Sequence, residues 1–464
     1  MSKPSIPQGT RDFSPEEVRK RQYIFNTLRS IFELYGFQPL ETPSMENLTT
    51  LTGKYGEEGD RLIFKILNNG LHEKKDADKE KLNTQWNNIL SRPYSSPVVT
   101  ERALRYDLTI PFARYVVMHQ NELTFPFRRY QMQPVWRADR PQKGRYREFW
   151  QCDADVVGST SLINEAELLC IYAKAFRKLN IPVAIKINSR KLLAALSELC
   201  GTPEKMMDIT IALDKLDKIG WIGVAKELNE RGISDDGIWQ IEQVINVKGT
   251  NQEKLASFAQ LMQHSATGME GINEVSKSLA YYAQLIGATG NNVVVEVDIS
   301  LARGLNYYTG VIVEVACTSE SVKMGSIGGG GRYDDLTGLF GLKGLSGVGV
   351  SFGIDRIYDV MEELQVFPQQ IASGTRAIII NFGGESESYA LSILQQLREA
   401  GIAAEIYPDV AKFDKQMKYA NKRAIPYVLL PGDEERQLRK VSIKDFTTGE
   451  QRLVSIEDCI AILA

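Results

Sequence analysis

Near the amino terminus, apolar residues recur at the spacing of an amphipathic helix. Ser14 can cap its first turn, Pro15 fits the first helical position, and Glu17 can complete a capping box. Gly36 ends the run. The apolar face consists of Phe25, Leu28, Phe32 and Tyr35. The pattern therefore predicts one long helix that buries a single face.

Further along, alternation of apolar and polar residues predicts paired strands. Residues 127–137 and 147–158 read as two strands with no crossover helix between them, so we expect antiparallel pairing. Residues 70–97 are polar and of mixed charge, which predicts a surface insertion. Strand patterns return at 291–300 and 309–317. Together these runs indicate an antiparallel sheet interrupted by other elements.

The texture is helical from about residue 165 to residue 290 and alternates strand with helix after residue 374. The helical segments after residue 190 carry no catalytic constellation, so we interpret them as an insertion. The last part indicates a small α/β domain with a mostly parallel sheet. We divide the chain into a core in two parts, residues 1–185 and 290–370, a helical insertion at residues 186–289, and a C-terminal domain at residues 374–464.

Length and composition place the chain among multidomain globular proteins. Its 464 residues predict about two to four domains, and 43% hydrophobic with 24% charged residues is ordinary for this class. No apolar run approaches the ~20 residues that cross a bilayer, and no signal core follows the N-terminus. Five cysteines without a Cys-x-x-Cys pair argue against a zinc site or a disulfide framework. We expect a cytoplasmic protein with no membrane partner and no metal site of its own.

One basic segment stands out in a chain that is otherwise slightly acidic. The protein has 55 Lys and Arg against 58 Asp and Glu, whereas residues 128–147 hold seven basic residues and one acid, Asp139. This balance excludes general coating of nucleic acid, and we expect no DNA partner, but it favours a confined basic groove. Five of the basic residues surround a Pro-Gln-Lys-Gly turn: Arg137, Arg140, Lys143, Arg145 and Arg147.

Three arginines far apart in the sequence, Arg137, Arg303 and Arg356, are candidates for a phosphate site. Guanidinium groups bind phosphate bidentately and stay charged through phosphoryl transfer. Each of them alone is more often a surface or structural arginine. The chain has no Walker-type loop, and the glycine run at 328–331 fits a flexible or tightly turned connection at least as well as a phosphate cradle.

Several stretches of the sequence form recognisable motifs. The stretches are PQGTRDFSP, WRADRPQKGRYREFWQCDADVVG, GVGVSFGIDRI, LARGLNYYTG and GGGGRYD. Taken together they resemble the class II aminoacyl-tRNA synthetases and, by the last two stretches, the histidyl-tRNA synthetase family. The resemblance covers nearly the whole chain apart from residues 70–97.

The resemblance implies an α+β fold, in which an antiparallel-sheet catalytic core carries a helical insertion and is followed by a C-terminal α/β anticodon-binding domain. It implies ATP-dependent ligation of L-histidine to tRNA(His) through a histidyl-adenylate, with release of AMP and pyrophosphate. Mg²⁺ would be carried with ATP. A homodimer is implied by Pro43 and by the apolar face of the first helix.

For ATP, the resemblance implies that Arg137 binds the α-phosphate, Arg145 the outer phosphates, and Arg356 the adenine and γ-phosphate. Arg303 would contact the α-phosphate and the substrate carboxylate, and Asp139 belongs to the same ATP-binding group. The residues of the turn that would contact the tRNA acceptor end are Arg140, Gln142 and Lys143.

For histidine, the resemblance implies a set of carboxylates, amides and phenols. The residues implied for the α-ammonium are Asp107, Thr109 and Gln151; those for the two imidazole nitrogens are Asp155 and Tyr308; those lining the pocket are Tyr307 and Tyr333. An imidazole presents two polar edges, which a buried carboxylate and a phenol can satisfy.

Structural alternatives stay open for several of these residues. Asp107 can be a helix cap, and Tyr308 can be a core residue. Asp153 shares a strand face with Asp155 and can be the functional acid in its place. The family commonly has Asp where this chain has Asn306, which removes a charge beside the pocket.

Two other functions are weighed against the synthetase. A catalytically silent relative, the regulatory paralogue of ATP phosphoribosyltransferase, typically lacks the anticodon-binding domain and catalytic arginines, whereas this chain has residues 374–464 and all three arginines. Synthetases for threonine, proline or glycine share the C-terminal domain but not LARGLNYYTG. One C-terminal helix face is basic, and it fits either a tRNA surface or a solvated face: Lys412, Lys415, Lys418 and Lys422.

Overall fold

The computed structural model describes residues 3–53, 55–91, 96–287, 292–302, 307–368, 371 and 374–464. The chain divides into two compact units: Met1–Asp12 with Ile24–Val366, and Phe13–Tyr23 with Phe367–Ala464. Each unit has its own sheet and its own buried apolar cluster.

The helices and strands are numbered in chain order. The α-helices are α1 Pro15–Leu34, α2 Leu48–Leu51, α3 Gly56–Leu62, α4 Asp76–Ser91, α5 Thr109–Met118, α6 Ile163–Lys178, α7 Arg190–Leu199, α8 Met206–Leu213, α9 Leu216–Glu230, α10 Asp235–Ile245, α11 Asn251–Leu261, α12 Ala266–Leu285, α13 Ile354–Leu364, α14 Gly384–Glu399, α15 Phe413–Lys422, α16 Asp433–Leu438 and α17 Ile456–Leu463. The strands are β1 Gln38–Pro39, β2 Met45–Asn47, β3 Lys65–Ile66, β4 Arg102–Leu104, β5 Phe127–Trp136, β6 Glu148–Val157, β7 Val183–Ser189, β8 Val293–Val297, β9 Val311–Cys317, β10 Gly328–Asp334, β11 Ser346–Gly353, β12 Ala377–Ile379, β13 Ala404–Ile406, β14 Tyr427–Leu430, β15 Val441–Asp445 and β16 Gln451–Val454.

The first unit is built on an eight-stranded sheet in the order β1-β5-β6-β11-β10-β9-β7-β8. The pairs from β5 to β7 are antiparallel, and the two outermost pairs, β1 with β5 and β7 with β8, are parallel. The predicted antiparallel core is therefore confirmed. A small sheet, β2-β4-β3, accompanies it.

The face of helix α1 packs on this sheet around Phe352 of β11, which is fully buried. The Phe352 ring lies 5.8 Å from that of Phe32 and 4.6 Å from that of Tyr172 on α6. Leu28 is also fully buried, and Phe25 is 6% exposed. The apolar face of α1 is thus largely used inside the chain, where Phe25, Leu28 and Phe32 are buried, and the homodimer that it implied stays a prediction.

Two segments extend the first unit. Helices α7 to α12 lie between β7 and β8. Helix α4 lies at the surface with Trp86 and Leu90 exposed.

The glycine run of 328–331 forms the start of strand β10, where a Cβ at Gly330 would come within 2.2 Å of the neighbouring Gly349 carbonyl oxygen. The run serves close strand packing, so neither a flexible connection nor a turn describes it.

The second unit has a five-stranded sheet in the order β13-β12-β14-β15-β16. Strand β12 pairs in parallel with both neighbours, whereas β14 with β15 and β15 with β16 are antiparallel. The sheet is mixed, and the prediction of a mostly parallel sheet was wrong for its second half.

Two further predictions from the sequence concern this unit. The predicted capping box at Ser14 and Glu17 is formed. The four lysines on and beside α15 are exposed.

Candidate active site

Strands β5 and β6 form a hairpin whose connection carries the basic residues. The ladder ends where Trp136 pairs with Glu148, and within the connection Gln142 and Arg145 form an isolated bridge. Arg137 is the first residue after β5. We call residues 137–147 the basic loop.

A cavity of about 690 Å³ lies beside this loop, and Arg137, Arg145 and Arg356 all line it. Burial lowers the pKa of Arg356, and the nearby Arg145 and Arg137 lower it further. Guanidinium groups bind phosphate oxygens through paired, charge-assisted hydrogen bonds. Three of them in one cavity are therefore able to bind a polyanion.

Two of these arginines are held by backbone carbonyl oxygens. Arg137 donates from Nε to the Tyr106 oxygen at 3.0 Å, and its guanidinium lies 4.2 Å from the centre of the Tyr106 ring. Arg356 donates to the oxygens of Gly144 and Ser326, each at 2.6 Å. Because these acceptors are neutral, the positive charge of both side chains is left for a ligand.

The structure brings some of the predicted substrate residues to the cavity and leaves others outside its lining. Those that line the cavity are Arg137, Asp139, Arg145, Gln151, Tyr308 and Arg356. Among the described residues, the lining does not include Asp107, Thr109, Asp155, Tyr307 or Tyr333. Arg303 and Asn306 lie outside the described residues.

Asp155 of β6 is buried and contacts two neighbouring side chains. Tyr333 donates from its hydroxyl to Asp155 Oδ1 at 2.6 Å. Arg129 lies opposite in the β5–β6 ladder, and its Nη2 approaches Asp155 Oδ2 to 2.9 Å, an ion pair without hydrogen-bond angles. On the other side, a Cβ at Gly349 would come within 1.9 Å of Asp155 Oδ1. Glycine is required there because the carboxylate fills that space.

Asp107 forms a second buried cluster before helix α5. Its Oδ1 accepts from the Tyr55 hydroxyl at 2.9 Å and from the Ile110 backbone N–H at 3.1 Å, and its Oδ2 accepts from the Tyr307 hydroxyl at 3.2 Å. Burial raises the pKa of Asp107. Burial also raises the pKa of Tyr307, and a hydrogen bond with Thr109 opposes this rise. Asp107 therefore bonds the first turn of α5 from the residue before its N-cap position, Leu108, and its Oδ2 still accepts from a phenol.

Asp153 lies between Gln151 and Asp155 on one face of β6. Burial raises the pKa of Asp153 to about 7, while Arg129 lowers it and the neighbouring Asp155 raises it further. Among the described residues, Asp153 Oδ1 and Gln151 Oε1 are buried without a hydrogen-bond partner. Gln151 donates from Nε2 to the Ser351 hydroxyl at 2.8 Å. This strand face therefore has unused acceptor atoms next to the cavity.

The residues predicted to contact tRNA lie on the outer part of the basic loop. Arg140, Gln142 and Lys143 are exposed. Lys143 is paired with Glu363 of α13 at 2.7 Å, and its side chain is still 64% exposed. Asp139 is 3.8 Å from Arg145 across the loop. An exposed pair of this kind contributes about 1 kcal/mol or less, so it yields readily to a phosphate.

Sequence reasoning did not identify Arg129, Tyr55 or Arg11 as site residues. Arg129 becomes recognisable only once the strand register places it opposite Asp155. Tyr55 and Arg11 reach the site from segments far away in the chain, at Asp107 and Asp355. No local pattern marks such partners. Among the residues that the structure describes, no group of three or more His, Cys, Asp or Glu is placed to hold a metal ion.

Two family models match separate regions of the chain. A model described as Histidyl-tRNA synthetase matches residues 100–357, and one described as Anticodon binding domain matches residues 376–464. Throughout the described ranges, no helix is long and apolar enough to cross a membrane.

Curated relatives match over the full length. The chain is 56% identical to the histidine–tRNA ligase of Christiangramia forsetii over 451 residues, which cover 97% of this chain and 96% of that protein. It is 53% identical to the histidine–tRNA ligase of Bacteroides fragilis over 462 residues, with 100% and 99% covered.

Solved structures share the fold. The crystal structure of histidyl-tRNA synthetase from Nostoc sp. matches with a TM-score of 0.83 and 29% identity, covering 100% of this chain and 99% of that one. A Bacillus halodurans structure, described as an ATP phosphoribosyltransferase regulatory subunit/histidyl-tRNA synthetase, matches with a TM-score of 0.70 and covers 89% of this chain and 96% of its own. At 20% identity, this second likeness shows the fold alone.

The folded protein favours the neutral form of Asp153, so we expect Asp153→Asn to stabilise it at neutral and higher pH. Burial raises the pKa of Asp153 from 3.8 to about 7. Because this pKa exceeds that of the unfolded chain, the linked stability is complete below about pH 4 and is lost as the pH rises through about 7. At about pH 8 the variant should exceed the wild type by at most about 4 kcal/mol in free energy of unfolding.

Urea unfolding at about pH 4, 6 and 8 measures this difference, which should grow with pH. Asp78→Asn, on the exposed helix α4, is the matched control and should change the free energy of unfolding by less than about 0.5 kcal/mol at each pH. A difference between Asp153→Asn and wild type that does not vary with pH would contradict the assignment.

Proposed function

The chain belongs to the histidyl-tRNA synthetase family, whose members attach histidine to tRNA(His) with ATP, and we propose which of its residues carry out the two steps. The reaction is the ATP-dependent ligation of L-histidine to its tRNA through a histidyl-adenylate, with release of AMP and pyrophosphate. The observation that supports our assignment is the convergence of Arg137, Arg145 and Arg356 on a cavity that also receives Gln151 and Tyr308.

We assign the arginine side of the cavity to ATP. Arg137 would bind the α-phosphate, Arg145 the outer phosphates, and Arg356 the γ-phosphate while its planar group lies on the adenine. We propose that Arg303 joins Arg137 at the α-phosphate, and that Asp139 orients Arg145 from across the loop. Mg²⁺ would enter bound to the triphosphate, as a part of the substrate.

We assign the buried side to histidine. Gln151, Asp107 and Thr109 would receive the α-ammonium, which suits the unused Gln151 acceptor at the cavity. Asp155 and Tyr308 would contact the two imidazole nitrogens. The other residues proposed for this pocket are Tyr307 and Tyr333. Tyr333 and Arg129 hold the Asp155 carboxylate in a fixed direction, which favours selection of an imidazole by hydrogen bonding.

The chemistry then follows from position and charge. A carboxylate oxygen of histidine attacks the α-phosphorus of ATP, the new O–P bond forms as the bond to the β-phosphate oxygen breaks, and pyrophosphate leaves. In the second step the terminal hydroxyl of the tRNA attacks the activated carbonyl carbon, the new C–O bond forms as the bond to the bridging oxygen breaks, AMP leaves with that oxygen, and the hydroxyl proton is released. Fixed guanidinium groups stabilise the charge that develops on phosphate oxygens, because they need little reorganisation during the reaction.

We propose that the tRNA contacts both units. Arg140, Gln142 and Lys143 of the basic loop would meet the acceptor end, where Lys143 can exchange Glu363 for a phosphate. The second unit would bind the anticodon stem through the exposed lysines beside and on α15. A cytoplasmic location follows from this role in translation.

A catalytically silent regulatory subunit is the competing function, since a structure described partly in those terms shares the fold. That function does not need a triphosphate site, whereas Arg137, Arg145 and Arg356 are all present here at one cavity. Histidine-dependent exchange of pyrophosphate into ATP, measured with each of the twenty amino acids, tests the synthetase assignment. Exchange with histidine alone is expected, and no exchange with any amino acid would contradict the proposed site.

The first prediction from this assignment concerns Asp155→Ala. The change removes the carboxylate proposed for the imidazole, so the KM for histidine should rise by ~10- to 100-fold, the effect of losing a hydrogen bond to a charged group. The KM for ATP should stay within about twofold because the arginines are untouched. Asp153→Asn is the matched control on the same strand face; a larger effect on histidine there than at Asp155 would reverse the two roles.

The second prediction concerns the C-terminal region from residue 374 onward, which we propose as a separate anticodon-binding domain. A chain ending at residue 373 should keep histidine-dependent exchange while tRNA charging falls by at least ~10-fold, because anticodon contacts supply binding energy only to tRNA. In the intact chain, Lys415→Glu with Lys418→Glu should weaken charging alone. Parallel loss of exchange and charging in a folded truncation would refute the separation.

The third prediction concerns a homodimer formed through the segment that contains Pro43. Arg105 is buried and donates to the Thr42 oxygen at 2.7 Å and the Pro134 oxygen at 2.8 Å, so this segment is joined to the strand that leads to Arg137. Sedimentation at micromolar concentration should give a dimer. Met45→Glu, at an exposed position beside the segment, should shift it toward monomer.

Met269→Glu serves as the control for this experiment, since Met269 is a comparably exposed methionine on helix α12. It should leave the sedimentation of the protein unchanged. A wild type that sediments as a monomer would refute the dimer, and equal dissociation by both substitutions would refute the location of its interface.

A further inference from the structure

Helix α13 carries three acidic residues on one face, and each pairs with a basic residue from another segment. Asp355, Asp359 and Glu363 follow at four-residue spacing, which places them on one side of a helix. Arg11 pairs with the first two, and Lys143 of the basic loop pairs with the third. This face therefore joins the N-terminal segment and the basic loop to one helix.

Arg11 is the residue at which the three segments meet. Its Nη2 lies 2.6 Å from Asp355 Oδ1, and its Nη1 lies 3.2 Å from Asp359 Oδ1. The guanidinium lies 3.7 Å from the centre of the Tyr146 ring, and Nη1 also donates to the Tyr146 hydroxyl at 3.0 Å. Tyr146 donates in turn to Asp359 Oδ2 at 2.6 Å. Tyr146 of the basic loop is thereby fixed to α13.

The charges at this contact support a persistent geometry. Burial opposes the charge of Arg11, but Asp355, Tyr146 and Asp359 outweigh it and leave the pKa of Arg11 raised. Burial and the hydrogen bond to Asp359 raise the pKa of Tyr146 to about 12, so its hydroxyl remains a donor at working pH. The side chains of Asp355 and Asp359 are only 4% and 13% exposed, so water weakens these contacts little.

Arg145 stands between two fixed points of the loop. On one side, Arg356 donates to the Gly144 carbonyl oxygen at 2.6 Å. On the other side, Tyr146 is held by Arg11 and Asp359. The backbone N–H of Arg147 donates to the Gly9 carbonyl oxygen at 2.8 Å. The N-terminal segment therefore also contacts the loop at the residue after Tyr146.

We propose that Arg11 is a positioning residue for ATP, because its contacts with Tyr146 and α13 hold the Arg145 guanidinium at the cavity. Among the described residues, Arg11 is not part of the cavity lining, so it acts through the loop. The inference rests on the function proposed above, in which Arg145 meets the outer phosphates. Loss of Arg11 leaves the loop held through Gly144, and Arg145 then samples positions away from the phosphates.

Pyrophosphate exchange with ATP and histidine varied in turn tests this role. Arg11→Ala should raise the KM for ATP by ~10-fold or more and leave the KM for histidine within about twofold. Arg11→Lys should restore part of the ATP affinity, because an ammonium keeps the charge but cannot bridge two carboxylates and a ring. A role limited to folding would instead change both KM values together or neither.

Glu363→Gln is the matched control on the same helix face. It removes the ion pair with Lys143. The Lys143 side chain is 64% exposed, whereas that of Arg11 is 26% exposed, so this pair contributes less to the position of the loop. The KM for ATP should therefore stay within about twofold. If Glu363→Gln raises the KM for ATP as much as Arg11→Ala does, loss of any charge on this face suffices and the role of Arg11 is overturned. A folded Arg11→Ala protein with the wild-type KM for ATP overturns it as well.

Tyr146→Phe keeps the test open if Arg11→Ala fails to fold. It preserves the ring under Arg11 but removes the donor to Asp359, so a smaller rise in the KM for ATP is expected. A folded Tyr146→Phe protein with the wild-type KM for ATP would overturn the proposal. Where Arg11→Ala also folds, the two effects in the double variant should combine to less than their product, because both act through one contact. Effects that multiply in full would overturn the proposal. If the wild type shows no histidine-dependent exchange, the proposed function fails, and this inference fails with it. If the wild type is active but substitution of Arg11 does not change the KM for ATP, the positioning role alone is refuted.

Discussion

The gathering of three guanidinium groups in one cavity is the constraint that the contacts around the site must accommodate. Arg137, Arg145 and Arg356 share one cavity, and the first two lower the pKa of the third. Arg137 and Arg356 are oriented by backbone carbonyl oxygens, which satisfy donors without cancelling charge. The carboxylates Asp355 and Asp359 are engaged with Arg11 instead. The cavity therefore keeps positive charge that a polyanion can neutralise.

On the buried side of the site, acidic side chains outnumber basic ones. Asp107, Asp153 and Asp155 are each 2% exposed, and burial raises the pKa of all three. Arg129 is the cation paired with Asp155, and phenols occupy much of the remaining space. A ligand that brings a positive charge relieves this excess of carboxylates. The α-ammonium of an amino acid is such a charge, and an imidazole adds a donor.

The sequence was informative wherever a local pattern or a motif carried the signal. Period-two alternation predicted the hairpin of β5 and β6, and the motifs named the arginines that line the cavity. The register was not predictable, because the long connection between Trp136 and Glu148 does not fix it as a tight turn would. Without the register, the pairing of Arg129 with Asp155 has no sequence signal. The mixed sheet of the second unit was missed for the same reason, since strand direction depends on pairing.

A single strand, β6, joins the two sides of the site, and under the proposed assignment it would set the order of the substrates. From Gln151 to Asp155, β6 advances by about 13 Å, from the cavity to the buried carboxylates. A zwitterion placed along this face has its lowest energy with the carboxylate toward the arginines and the cationic groups toward the aspartates. Under the proposed assignment, a histidine carboxylate would then face the α-phosphate while its imidazole would lie deepest. The arrangement of charges along β6 would therefore disfavour the reversed amino acid before any individual hydrogen bond is considered.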